Sequence, residues 1–144
     1  MNGTSIKNMI LAAFAGIGSV FLQWLGGWDW FLKTLITFMI VDYITGIAVA
    51  FVFHKSNKTK NGSASSRECY KGIVKKRCIL ALVGVSVAID TLTNANYVRS
   101  ATIFFFLGNE GLSIIENIGL MGMKYPPFIK RALEVIREKS DEDE

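Results

Sequence analysis

A chain of 144 residues that is 51% apolar, with a mean hydropathy of +0.35, has room for one domain and is greasier than an ordinary soluble one. Its net charge of +4 is segregated: cations gather in one stretch, and several windows of about 20 residues, the length that crosses a hydrocarbon core, carry one charge or none. Cys69, Cys78 and the single His54 cannot complete a four-ligand metal site, and no phosphate loop or nucleophile elbow is present. Catalysis, a metal and a cofactor are therefore not expected.

The first predicted span covers residues 9–28, uncharged and interrupted only by Gln23. Lys7 followed by "MILAAFAGIGSV" could open a cleaved signal peptide, but the run continues to Trp24 and Leu25 and meets "GGWDW", not a long soluble domain. Trp24, Trp28 and Trp30 suit a membrane interface, where an indole keeps its ring in the acyl boundary and its N–H in water. Ala12 with Gly16, and Ala15 with Ser19, have the spacing that lets membrane helices pack backbone to backbone, as Gly84 and Ala88 do later in the chain. Met9 is a candidate second start whose product would lack Lys7; the alternative is that it is simply the first apolar residue of the span.

The second span, residues 34–53, holds one charge, Asp42, near its middle in "VDYITG". Such an acid is expected to be satisfied inside a bundle, protonated or hydrogen-bonded, with Gly46 on the same segment as a packing position. Residues 54–77 follow, with eight Lys or Arg (Lys55, Lys58, Lys60, Arg67, Lys71, Lys75, Lys76 and Arg77) against the lone acid Glu68. By the positive-inside tendency this loop is cytoplasmic, so the N-terminus is cytoplasmic too. Lys71, Lys75, Lys76 and Arg77 are read as topology determinants and anchors on anionic lipid, with residues 66–77 free to lie on the membrane and dip Ile73 and Val74 inward. Nucleic acid is not expected as a partner, because the cluster lacks a stacking platform. The cysteines also fall on this side, where thiols stay reduced.

The third span is residues 78–93, with Asp90 near its outer end, and a short turn leads to the fourth, residues 98–121. Asn109, Glu110, Ser113, Glu116 and Asn117 fall within an arc of about 120° at 100° per residue, opposite Phe104, Gly111, Ile115 and Ile118. A polar seam of this kind is expensive against lipid and must face protein or water. It could lock one bundle by hydrogen bonds, or hide in a resting assembly and later line an aqueous lesion. Arg99 projects on the same arc, and a contact with Asp90 is expected. The tail, residues 124–144, balances five basic residues against six acidic ones and ends in "DEDE". The fold class is all-α: a single multi-span membrane domain, 1–144, with four transmembrane helices, three being the alternative if one segment is re-entrant.

These residues resemble the bacteriophage holins of the toxin-secretion and phage-lysis group. The resemblance rests on "DYITG", on Ser66 with "KGIVKK", on Asp90 and above all on "NEGLSIIENIGLMG" from Asn109 to Gly122, and it covers roughly residues 36–135. Where the family usually alternates apolar residues and proline after the final glycine, this chain has "MKYPPFIK". The resemblance implies a protein of the bacterial cytoplasmic membrane that forms homo-oligomers and opens timed lesions. These would release a cell-wall hydrolase or a large toxin, with no direct contact needed. A small ion channel or transporter subunit, a membrane-depolarising toxin and a structural scaffold are the other function classes.

Overall fold

Five helices carry all the regular structure among residues 2–142, the part of the chain that the computed structural model describes. They are α1 (Gly3–Trp24), α2 (Trp30–Phe51), α3 (Ser66–Thr93), α4 (Val98–Leu120) and α5 (Pro127–Glu142). Three of them, α1, α2 and α4, are long and apolar enough to cross a membrane. The four-span expectation differs at α3. Every stretch of 18 residues in that helix takes in Lys76, Arg77 and at least one further charged residue, so α3 is not among the three.

Local chemistry sets the boundaries. α1 stops at Leu25 because Gly26 and Gly27 adopt φ of +82° and +98°, where a side chain would be strained, and their amides return to the carbonyls of Gln23 and Leu22. Asp29 then caps α2, accepting the Leu32 N–H at 2.9 Å. Asp90 does the same for α4 from the preceding helix, accepting the N–H groups of Val98 at 3.0 Å and Arg99 at 2.9 Å. Pro127 opens α5 at the first helical position, where its missing N–H costs nothing.

The order of packing is unequal. α4 is the central helix, packed against α2, α3 and α5. One end of the bundle is an apolar core of Leu25, Leu32, Leu35, Met39, Ile79, Val83, Ile103 and Leu107, all nearly free of solvent contact. On α2 the inward residues Leu32, Leu35, Met39 and Asp42 recur at helical spacing, so the apolar stripe runs directly into a carboxylate. α1 buries none of its residues. It is held at its C-terminal end, where the Trp24 indole lies over Gly84 of α3 and leaves no room for a Cβ there.

Two segments read as irregular are helical. Residues 66–77, expected to be part of a loop or a separate interfacial helix, are the first turns of α3 and continuous with its apolar half, so the loop proper is 54–65. Glu68 and Lys71 pair at 2.7 Å across one turn there. The charged tail forms α5, which folds back along α4 and seats Leu133 against Gly111, where a Cβ would lie 2.6 Å from a Leu133 methyl.

Candidate functional site

Three helices each deliver one ionisable side chain to a single point. Asp42 comes from α2, Lys76 from α3 and Glu110 from α4. The Lys76 ammonium donates to Asp42 Oδ2 at 2.8 Å and to Glu110 Oε2, forming two salt bridges through one cation. Asp42 and Glu110 are 9% and 4% exposed, so their charges are compensated by Lys76 and by hydrogen bonds more than by solvent. Counted by formal charge, one cation faces two acids. The triad is therefore bound together and also one unit short of neutrality.

Asn117 completes the Asp42 end. Its amide Nδ2 lies 3.2 Å from Asp42 Oδ1, 3.3 Å from the Asp42 carbonyl and 3.0 Å from Thr45 Oγ1, placing one donor group among three acceptors of α2. Gly46 borders this contact, and a Cβ there would meet the same nitrogen at 3.7 Å, an ordinary van der Waals distance, so the approach does not depend on glycine. No buried side-chain nitrogen or oxygen among the described residues lacks a partner.

Beside the triad lies a cavity of about 560 Å³ between α2, α3 and α4. Asn109, Glu110, Ser113 and Glu116 line one wall, Asp42, Lys75 and Lys76 stand opposite, and Ser56, Thr59, Ser63 and Ser65 of the 54–65 loop rim it. Four of the five seam residues thus face one cavity of mixed lining, to which Ile47, Phe106 and Leu112 also contribute, while Asn117 is spent on α2. The apolar core begins immediately beyond Asp42 and Glu110, with Met39, Leu107 and Ile79. The cavity and the dry core meet at the triad.

A second cluster holds the opposite end. The Arg99 guanidinium donates to Asp29 Oδ2 at 2.6 Å and Oδ1 at 3.3 Å, and to the carbonyls of Leu25 at 2.7 Å and Gly27 at 3.4 Å. It ties the α1–α2 turn to the start of α4. Burial would raise the Asp29 pKa, but the Arg99 hydrogen bond, the Leu32 amide and the guanidinium charge outweigh it and hold the carboxyl below its ordinary value of 3.8. The expected contact of Asp90 with the Arg99 side chain is not made. Asp90 takes the main-chain N–H of Arg99, because a helix start offers free amides, and the guanidinium goes to the turn.

The remaining positions separate in the same way. Ala12 and Gly16 sit on the exposed α1, with nothing within 4 Å of a Cβ at Gly16. Gly84 packs under an aromatic ring, not against a second helix backbone. Lys71, Lys75 and Arg77 are exposed, but Lys76 turns inward. Its inward position was missed in the sequence, although Ile79, Val83 and Ser86 extended back by helical spacing reach it. Cys69 and Cys78 are free thiols.

Comparison with known proteins places this arrangement. A sequence model described as "Bacteriophage holin family" matches residues 19–138. An uncharacterized protein of Listeria monocytogenes is 38% identical over 130 residues, 90% of this chain and 87% of its own length. An uncharacterized 14.9 kDa protein of Clostridium perfringens is 34% identical over 137 residues, 94% of this chain and 98% of its own. A "Probable holin" of Bacillus phage phi105 is 35% identical over 113 residues, 78% of each chain. No solved structure matches.

Proposed function

The chain belongs to the bacteriophage holin family, and on that premise we propose that it oligomerises in the bacterial cytoplasmic membrane and opens lesions that release a cell-wall hydrolase or a large secreted toxin. The observation that carries this reading is the wall of Asn109, Glu110, Ser113 and Glu116 on a cavity that the Lys76 triad also lines. In the resting bundle Glu110 is paired with Lys76, and all four groups can be satisfied by water if the helices rearrange. An element with two such arrangements is what an abrupt opening requires.

In this reading the apolar half of α3, residues 78–93, crosses the membrane with α1, α2 and α4, giving four spans. The eight cations of residues 54–77 keep that side in the cytoplasm, where Lys71, Lys75 and Arg77 meet anionic lipid. The N-terminus is then cytoplasmic and the Arg99–Asp29 cluster lies at the outer face.

The test is to induce the protein in a bacterium with and without a soluble cell-wall hydrolase that has no export signal, following membrane potential and turbidity. A delayed, sudden depolarisation, with clearing only when the hydrolase is present, supports the reading. Gradual depolarisation without hydrolase release would replace it with a small ion channel or a depolarising toxin, and unchanged permeability would leave a structural scaffold.

A further inference from the structure

The cavity beside the triad is bordered on one side by backbone that belongs to no helix. Residues 54–65 run between the end of α2 and the start of α3, and Ser56, Thr59, Ser63 and Ser65 of this segment line the cavity. The segment is two-sided. Those four hydroxyl side chains are half-buried, while Lys55, Asn57, Lys60 and Asn61 are exposed. A loop that only carried cations to a lipid surface would need no such sorting.

Its folding is internal. The Ser56 N–H donates to the Gly62 carbonyl at 2.9 Å, the Gly62 N–H to the Thr59 carbonyl at 3.2 Å and the Thr59 hydroxyl to the Ser63 carbonyl at 2.8 Å. Gly62 adopts φ of +67°, and a Cβ there would collide with the His54 carbonyl, so this position admits no side chain. Among the described residues the hydrogen bonds of 54–65 close on the loop itself or on the ends of α2 and α3, and none reaches α4. At one end His54 stands at φ of +50°, and at the other Ser65 is extended and its hydroxyl makes no capping bond to α3. A unit folded within itself, facing α4 without a hydrogen bond to it and joined to the bundle at two non-helical residues, can move as one body.

We infer that residues 54–65 are a lid on the cavity, hinged at His54 and Ser65, and that lifting it opens the wall of Asn109, Glu110 and Ser113 to bulk water before the Lys76 triad parts. For what that hydration then triggers, the inference rests on the lesion-forming reading above. It gives the loop a part in timing that is separate from its charge.

The experiment uses the full chain with Ser113→Cys as a reporter on the wall and Cys69→Ser with Cys78→Ser as background. Reaction of the reporter with a charged methanethiosulfonate is timed in detergent micelles, and depolarisation is timed in cells after induction. With the loop unaltered, labelling should be slow. Gly62→Val forces a β-branched side chain into left-handed backbone, a strain that should speed labelling about tenfold or more and bring depolarisation forward at equal membrane content. Thr59→Val removes one internal hydrogen bond without backbone strain, so it keeps the test decisive if Gly62→Val fails to accumulate; it should shift both readouts in the same direction by less. Lys60→Gln, on the outward side, should change neither. Labelling equally fast with and without the lid substitutions, a rise for Lys60→Gln as large as for Gly62→Val, or faster labelling with unchanged depolarisation timing would each overturn the lid while leaving lesion formation standing. Faster labelling in chains that never depolarise the cell would overturn the lesion reading and the lid's part in timing, with the closure itself upheld.

Discussion

Replacing Lys76 with methionine keeps most of the side-chain volume and removes the cation that bridges Asp42 and Glu110. At 2.8 Å and an effective dielectric of about 20, one such contact is an attraction of about 6 kcal/mol before desolvation is subtracted. Removing one partner of a buried ion pair costs about 3–5 kcal/mol in practice, because the other charge stays behind uncompensated. Here the lower end applies. The Lys76 side chain is 16% exposed, and the adjoining cavity of about 560 Å³ can bring water to the stranded acids. A loss of about 3 kcal/mol shifts an equilibrium by about two orders of magnitude, and the shift favours whatever arrangement hydrates Asp42 and Glu110. Lys76→Met should therefore depolarise the host well before the unaltered protein does, at equal membrane content, and adding Glu110→Gln should restore much of the delay. Depolarisation would be timed by a potential-sensitive dye after induction, with membrane content measured by immunoblot. Unchanged timing at equal content would refute the claim that the triad holds the resting state.

The opposite sign is expected on the acid side. Glu110→Leu removes the carboxylate in excess and leaves Lys76 paired with Asp42, so insertion should be unaffected and permeabilisation delayed or lost; Glu116→Leu should act in the same direction through the cavity wall, and normal lysis timing in both variants would count against a wetted seam. Asp29 has its pKa held below 3.8, so its contribution to stability is present above the unfolded value and is lost only as pH falls through the lower folded value. Fluorescence of Trp24, Trp28 and Trp30 in detergent should accordingly be flat from pH 8 to about 5 and change below about 4, and Asp29→Asn should abolish that acid step. Gly84→Val should displace the Trp24 indole at a cost of about 1–3 kcal/mol and free α1. Protease cleavage near Gly26 and Gly27 is the readout, and cleavage no faster than in the parent would remove Trp24 as the anchor.

Much of the helical architecture was legible because lipid-length apolar windows need no partner to be recognised. α1 and α2 lie where the windows with one charge or none are, α4 lies at the fourth expected span, and the seam on α4 follows from residue spacing alone. What sequence could not supply was which helix each polar group meets. Lys76 stands in a run of three cations that looks uniformly solvent-facing, and only the inward stripe of Ile79, Val83 and Ser86 distinguishes it from Lys75 and Arg77. Arg99 and Asp90 are close in space, as expected, but a helix start competes for the carboxylate and a turn competes for the guanidinium. α5 was read as a tail because its charges hide a short apolar face, and Gly111 shows itself as a seat only when Leu133 is seen in it.

The two clusters constrain the molecule differently, and this limits where rearrangement can begin. Arg99 joins the α1–α2 turn to α4 by four contacts, two of them to backbone carbonyls, and a bidentate guanidinium–carboxylate pair at a turn is a rigid joint. At the other cluster the links between helices are side chain to side chain, except for the Asn117 contact with the Asp42 carbonyl, and they border the cavity of about 560 Å³. Side-chain contacts beside water can be exchanged one at a time, whereas the joint at Arg99 must break as a unit. The helices should therefore splay first at the Lys76 end while the Arg99 end acts as the hinge. On that account Lys76 governs when opening occurs, and Arg99 governs whether the opened helices stay together.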